Sequence, residues 1–317
     1  MPRRLERARL LLVGAALVAC APQDRVVGSV REAGADSAGA RGDAGALPPL
    51  LISADFATDD GIWDRQRLVP GSAVDFGVAD PLARDGEELA LVLPGIRGLG
   101  PDDHAGPDVA TQISTKQFVE YGTMRTRVRF ATCQPGEEAV NAAFAFFNDG
   151  TDANANGLAD NPEIDFQVLC GRPSFIVLTV WKDFDTASDG TEHFYKTSRA
   201  VDTASGDLYA LSSPSDYPYV RAGNDGRLAL PGFPDPNVFY EIGFEWQPDS
   251  VRFFIVSGGA ELTLWKMVDR AYVPGVPLQV MYNVWHSPTH WAPDRASANY
   301  PAADATLRVD WLEYRAP

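Results

Sequence analysis

Glu163, Asp165 and Gln167 recur at every second position of the stretch Asn161-Pro162-Glu163-Ile164-Asp165-Phe166-Gln167-Val168-Leu169. Side chains of a strand point alternately to its two faces, so these three share one face while Ile164, Phe166 and Val168 take the other. The second face is core. The first sets two carboxylates and an amide in a row, an arrangement that costs free energy when buried dry and makes chemical sense along a wet cleft.

The loop just before this strand carries a separate signal. Asp152, Asn154, Asn156, Gly157, Asp160 and Glu163 follow the one-three-five-six-nine-twelve spacing of a calcium loop, with Leu158 free to offer a backbone carbonyl. No helices are expected on either side, so this is a calcium-type loop in a hairpin. Glu163 cannot close a calcium site and serve chemistry as well. The calcium reading therefore uses Asp152, Asn154, Asn156 and Asp160; its alternative is a long polar turn whose Asx side chains cap their own backbone.

These residues need elements to position them, and the ends of the chain supply none. Arg3, Arg4, Arg7 and Arg9 precede the apolar run Leu10 to Val18, too short for a permanent membrane span, and the run ends Leu17-Val18-Ala19-Cys20. Residues 1–19 read as a signal peptide that resembles those of bacterial lipoproteins, with Cys20 as the lipidated residue; an ordinary secretory signal with an incidental cysteine is the alternative. Residues 20–49 are Ala, Gly, Asp, Arg and Pro with hardly an aliphatic cluster, and form a disordered tether. The domain is then residues 50–317, exported and held to a membrane only through its lipid.

The net charge is −16, and loss of the basic leader makes it more negative. Such a balance excludes a basic footprint for nucleic acid or for anionic lipid, and suits a neutral ligand. Of the three cysteines, Cys133 and Cys170 remain once Cys20 is used, each at the end of an expected strand. An even remainder in an exported chain favours a disulfide; two buried thiols are the alternative.

Period-two alternation or β-branched and aromatic enrichment marks Thr123 to Phe130, Asn141 to Phe147, Glu163 to Leu169, Phe175 to Trp181, Phe239 to Trp246, Val251 to Val256, Leu278 to Trp285 and Leu307 to Tyr314. Turn clusters such as Asn148-Asp149-Gly150 and Pro248-Asp249-Ser250 separate them. Many strands without a long helical period imply an all-β sandwich or jelly roll. Arg125, Arg127 and Arg129 read as a solvated sheet surface.

Five landmarks in order then carry a resemblance: Gln112 to Lys116 with Tyr121 to Arg125, Glu163-Ile164-Asp165, Tyr240 to Asp249, and Val309 to Tyr314. Together they resemble glycoside hydrolase family 16 over roughly the whole domain. The resemblance implies a concanavalin A-like β-jelly roll of two antiparallel sheets, with a concave groove for β-linked polysaccharide and retaining hydrolysis or transglycosylation. It places the nucleophile on Glu163 and the helper carboxylate on Asp165. The acid/base position falls on Gln167, or on Val168 if a bulge adds a residue.

Neither Gln167 nor Val168 can donate that proton. A retaining mechanism needs two carboxyls about 5 to 5.5 Å apart, one to attack and one to protonate the leaving oxygen, and an amide has no proton to give at neutral pH. The resemblance thus implies polysaccharide recognition with hydrolysis weak or absent. A hydrolase compensated by another carboxyl, for which Asp183 and Asp185 are candidates, is a second reading. A calcium-stabilised adhesion or structural domain is a third.

Asn161 stands where the resembling enzymes often carry an aromatic ring, so sugar platforms must come from elsewhere. Trp181, Trp285 and Trp291 are the candidates, with Asn283 and His286 beside them, since aromatic faces cover the apolar faces of sugars. Core packing is the alternative for each Trp, and Trp246 and Trp311 are read as core. His286 and His290 at four-residue spacing suit a metal only on a helix, which Pro288 argues against.

Overall fold

The computed structural model describes residues 48–67, 70–96, 110–148, 150–152, 155–171, 174–186, 192–211, 220–224, 228–289 and 297–317. Cys20, Asn154, His290 and Trp291 lie outside the described residues. Among those described the chain is all-β and contains no α-helix.

The strands are β1 (Leu50–Ala54), β2 (Trp63–Arg67), β3 (Ala73–Ala79), β4 (Glu87–Leu93), β5 (Ala110–Val119), β6 (Gly122–Arg129), β7 (Val140–Phe146), β8 (Asp160–Leu169), β9 (Phe175–Thr186), β10 (Glu192–Asp202), β11 (Asp207–Leu211), β12 (Val220–Asn224), β13 (Tyr240–Gln247), β14 (Ser250–Ser257), β15 (Ala260–Met267), β16 (Leu278–Trp285) and β17 (Ala305–Arg315). They form two antiparallel sheets. One has eight strands in the order β15-β14-β13-β6-β17-β4-β3, with β1 on β17; the other has nine, β12-β11-β10-β9-β8-β7-β16-β5-β2. This is the jelly-roll sandwich expected from the strand pattern and the family resemblance.

Alternation decides what lies between the sheets. From the nine-stranded sheet Ile164, Phe166, Val168, Ile176, Leu178, Val180 and Tyr282 turn inward, and from the other come Met124, Phe244, Trp246, Phe253, Val309 and Leu312. Trp246 is fully buried and donates its indole N–H to the Pro274 carbonyl at 3.1 Å. Two glycines are dictated by close approach: a Cβ on Gly243 would fall 2.1 Å from the Met124 carbonyl oxygen, and one on Gly122 2.1 Å from that of Arg315.

Two sequence expectations change here. Trp311 is buried but lies outside the inter-sheet core: the β17–β6 register shifts between Val309 and Trp311, and the ring sits under the Arg84 guanidinium, 5.5 Å from its centroid. A bulge displaces the alternation by one residue and so exchanges the faces. The arginines of β6 do face outward, yet they are paired. Arg125 meets Glu241 at 2.9 Å and Glu261 at 2.5 Å, Arg127 meets buried Asp310, and Arg129 meets buried Asp80.

Cys133 and Cys170 are joined, with Cα atoms 5.4 Å apart, and tie the segment after β6 to the end of β8. The Ala139 N–H donates to both sulfurs, at 3.2 and 3.1 Å.

Candidate functional site

The central strand β8 lies between β7 and β9, and the pleat delivers its polar residues to the outer face of the nine-stranded sheet. The β7–β8 ladder runs without interruption from Phe146 opposite Glu163 to Val140 opposite Leu169. No bulge enters between Glu163 and Gln167. Val168 stays in the core, fully buried, and the position two pleats from Glu163 is Gln167.

Neighbouring strands build three parallel rows around the trio. The Glu163 row reads Lys196, Trp181, Glu163, Phe146, Gln279 across β10, β9, β8, β7 and β16. The Asp165 row reads Ser198, Thr179, Asp165, Phe144, Met281, Ser114. The Gln167 row reads Val177, Gln167, Ala142, Asn283, Gln112, Gln66.

Burial differs along the trio. Glu163 and Gln167 are half-buried, whereas Asp165 is 2% exposed between Phe144 and Thr179, with its Oδ1 lacking a hydrogen-bond partner. Burial raises the Asp165 pKa well above the ordinary range, and the charge and hydrogen bond of Glu163 push the same way. Burial also raises Glu163, opposed by the hydrogen bond from Asp165 and by the charge of Lys196. The two carboxyls are therefore coupled, and the forces on Asp165 favour its protonated form more strongly than those on Glu163 favour its own. A charged Glu163 is what a carboxylate nucleophile needs.

At Gln167 the row offers only amides. Gln112 Nε2 donates to Gln66 Oε1 at 2.8 Å, Asn283 Nδ2 donates to Gln112 Oε1 at 3.4 Å, and Asn283 Oδ1 is buried without a partner. Ala142 separates Asn283 from Gln167 with a single methyl group. Gln112 enters the sequence reading only as the start of a family landmark, and Gln66, Phe146 and Lys196 are not among its site residues. The available signal was the polar alternation of Gln112 and Ser114, readable once β5 pairs with β16.

The expected sugar contacts separate. Asn283 and Trp285 share the outer face with Met281; Trp285 is half-buried against the cluster of Val140, Leu169, Phe175, Val177 and Ala200. Trp181 stands directly across from Glu163, but the Lys196 Nζ lies 3.9 Å from its ring centroid and the residue is 8% exposed. Asn161 is buried in the irregular start of β8, accepting from Asn148 Nδ2 at 2.8 Å. His286 is away from the rows. It is buried past the end of β16, its Nδ1 2.8 Å from the Glu138 carbonyl oxygen and its ring 5.0 Å from Tyr300.

In the 152–160 loop, Asp152 accepts from the backbone amides of Asn156 at 3.0 Å and Gly157 at 2.8 Å, through one oxygen each. Asn156 accepts from the Leu158 amide at 2.9 Å and donates to Asp183 at 2.7 Å. These are the bonds of a self-capped polar turn. Asp160 pairs across the ladder with Asp183, both buried, on the far side of Glu163 from Gln167. Asp183 thus lies in the wrong direction to replace the acid at Gln167.

No family model matches the chain. A β-glucanase of Bacillus amyloliquefaciens is 28% identical over 96 residues, a match that spans 30% of this chain and 36% of that protein, about a third of the relative's length. Among solved structures, one described as a 1,3-α-1,4-β-D-galactose-4-sulfate-3,6-anhydro-D-galactose 4 galactohydrolase superposes with a TM-score of 0.51 at 14% identity, covering 87% of this chain and 97% of its own. The β-glucanase of Bacillus licheniformis gives 0.47 at 15% identity, over 84% of this chain and 98% of its own. The first of these two superpositions shows a common fold alone, and function has to be argued from the site.

Proposed function

We propose that this domain recognises a β-linked polysaccharide of the β-glucan type along the outer face of the nine-stranded sheet, with hydrolysis weak or absent. One observation carries the reading: Glu163 and Asp165 lie side by side on one face of β8, while the residue two pleats from Glu163 on an uninterrupted ladder is Gln167. A nucleophile without an acid can hold a glycan and cannot release the leaving sugar efficiently. Loss of general-acid help forfeits about 10² to 10⁴ in rate.

The amides of Gln167, Asn283 and Gln112 suit the hydroxyls of a neutral sugar, and Trp285 and Phe146 offer apolar surface beside them. The chain's acidic balance agrees with a neutral ligand. The leader and Cys20 complete the proposal as a lipid anchor that holds the domain at a membrane surface. Metabolic labelling with a fatty acid, lost on Cys20→Ser, tests that part.

The soluble domain is incubated with laminarin, lichenan, xyloglucan and agarose, and binding and new reducing ends are measured for the wild type and Gln167→Glu. The expected result is binding by both, with turnover only in the variant. Product from the wild type at a comparable rate would overturn the acid argument, and no binding to any of the four would overturn glycan recognition.

A further inference from the structure

Trp181 lies directly across from Glu163, but its ring is not a free platform. Lys196, the next residue in the same row, holds its Nζ 3.9 Å from the ring centroid. Lysine stems lie readily along apolar surface, and an ammonium over an indole face is attracted by the ring quadrupole, the more so when partly desolvated. The β9–β10 register shifts between Tyr195 and Lys196, where Lys182 is an extra residue on β9, and this shift sets Lys196 opposite Trp181.

Among the described residues the groups that share this face with Lys196 and Trp181 are Glu163 and Asp165 on β8 and Phe144 and Phe146 on β7, while Asp183 pairs with Tyr195 beyond the register shift. The charge of Lys196 reaches both members of the Glu163–Asp165 pair.

We infer that Lys196 is a positioning residue for Glu163, with Trp181 as the seat that aims its ammonium at the carboxyl pair. Trp181 then serves as the floor under a cation, and sugar stacking on this face is left to other rings. The inference deepens the glycan reading, because it assigns the charge on Glu163 to a residue outside the catalytic strand. Its primary test requires no glycan.

The side-chain carboxyls of Glu163 and Asp165 are followed by carbon NMR against pH in the wild type, Lys196→Met, Lys196→Arg and Trp181→Leu, with thermal melts confirming that each variant folds. Lys196→Met keeps most of the stem and removes the charge, so the Glu163 midpoint should move up; Lys196→Arg should return it toward the wild type. Trp181→Leu keeps the charge and removes the seat, and should also move the midpoint up. The double variant Lys196→Met/Trp181→Leu should move it no further than Lys196→Met alone, since the seat acts only through the cation.

An unmoved midpoint in Lys196→Met overturns the inference. A midpoint that moves in Lys196→Met but not in Trp181→Leu overturns the role of the ring. Failure of the domain to bind any glycan would remove the polysaccharide reading and leave these titrations standing.

Discussion

Replacing Glu88 by Gln should change how stability depends on pH, by an amount that follows from the residue's surroundings. Glu88 is fully buried on the outer side of β4, where Arg308 contacts Oε1, Arg129 Nη2 lies 3.7 Å from the same oxygen, and Oε2 has no hydrogen-bond partner. Burial, with the charge of Asp80 assisting, raises its pKa from 4.5 to about 6 against the pull of Arg308 and Arg129.

The sign follows from proton counts. Below about pH 4 folded and unfolded chains both carry the proton; between there and about 6 the unfolded chain has lost it while the folded one keeps it. Folding binds protons in that window, so the stability contributed by Glu88 is lost as pH rises through it and is constant above. At about 1.4 kcal/mol per unit the full shift is worth roughly 2 kcal/mol. Glu88 sits near the sheet surface beside an Arg308 that is 30% exposed, and solvent there weakens the desolvation that raises the pKa. The discounted expectation is about 1 to 2 kcal/mol.

Glu88→Gln cannot titrate. The stability of the wild type minus that of Glu88→Gln should therefore fall by that amount between about pH 4 and pH 7.5, read by urea unfolding with linear extrapolation. Asp80, whose pKa is held low by the Leu82 amide and by Arg129 against the effect of burial, loses its contribution as pH falls, and does so in both proteins. A difference that is the same at both pH values, or larger at the higher one, would refute the reasoning.

Asp165→Asn should behave in the same sense for the same reason. Its folded-state pKa is raised, mainly by burial, so the wild type loses stability as pH rises above the ordinary carboxylate range, and the variant should gain on it with rising pH in paired urea melts. Cys133→Ser/Cys170→Ser opens a loop with a sequence separation of 37 residues, and the chain-entropy relation gives a loss of about 4 kcal/mol. Its check is the denaturation midpoint of oxidised wild type against the variant; a loss under about 1 kcal/mol would count against a loop-closing role. Calcium at Asp152, Asn154, Asn156 and Asp160 stays a proposal of the loop spacing, since each Asp152 oxygen that accepts a backbone amide keeps a lone pair for an ion. A melting temperature lowered by chelator is the result calcium requires, and an unmoved one would remove it, since a ligand of the folded state must raise it.

All eight strands expected from alternation are present, and in most of them an apolar face turns to the core; β17 keeps its apolar residues inward across the shift at Val309 and Trp311, and β6 carries Thr126 inward on the Tyr282 hydroxyl. Those missed fail the pattern for identifiable reasons. In β4 the inward Leu89, Leu91 and Leu93 are separated by Ala90 and Val92, so the stretch reads as a continuous apolar run of no fixed period. In β5 the outer face is itself buried, and Gln112 and Ser114 occupy positions where a half-buried strand would show exposed groups. In β10 both faces carry polar residues, Lys196 and Ser198 on one and Thr197 and Arg199 on the other, so no apolar alternation shows.

The same logic separates what was legible at the site from what was not. The direction of Glu163, Asp165 and Gln167 was fixed by the pleat, which acts within one strand and is carried by consecutive residues. Their neighbours come from other strands, at separations set by the ladder. Lys196 follows Trp181 by fifteen positions in the chain and by a single strand spacing in the sheet, with a register shift between them that no local pattern announces. That contact decides whether Trp181 is a sugar platform or the seat of a cation. An aromatic ring in a strand sequence reveals which face it is on; what covers it is a property of the pairing, and the same indole serves recognition or electrostatics according to the partner the ladder brings to it.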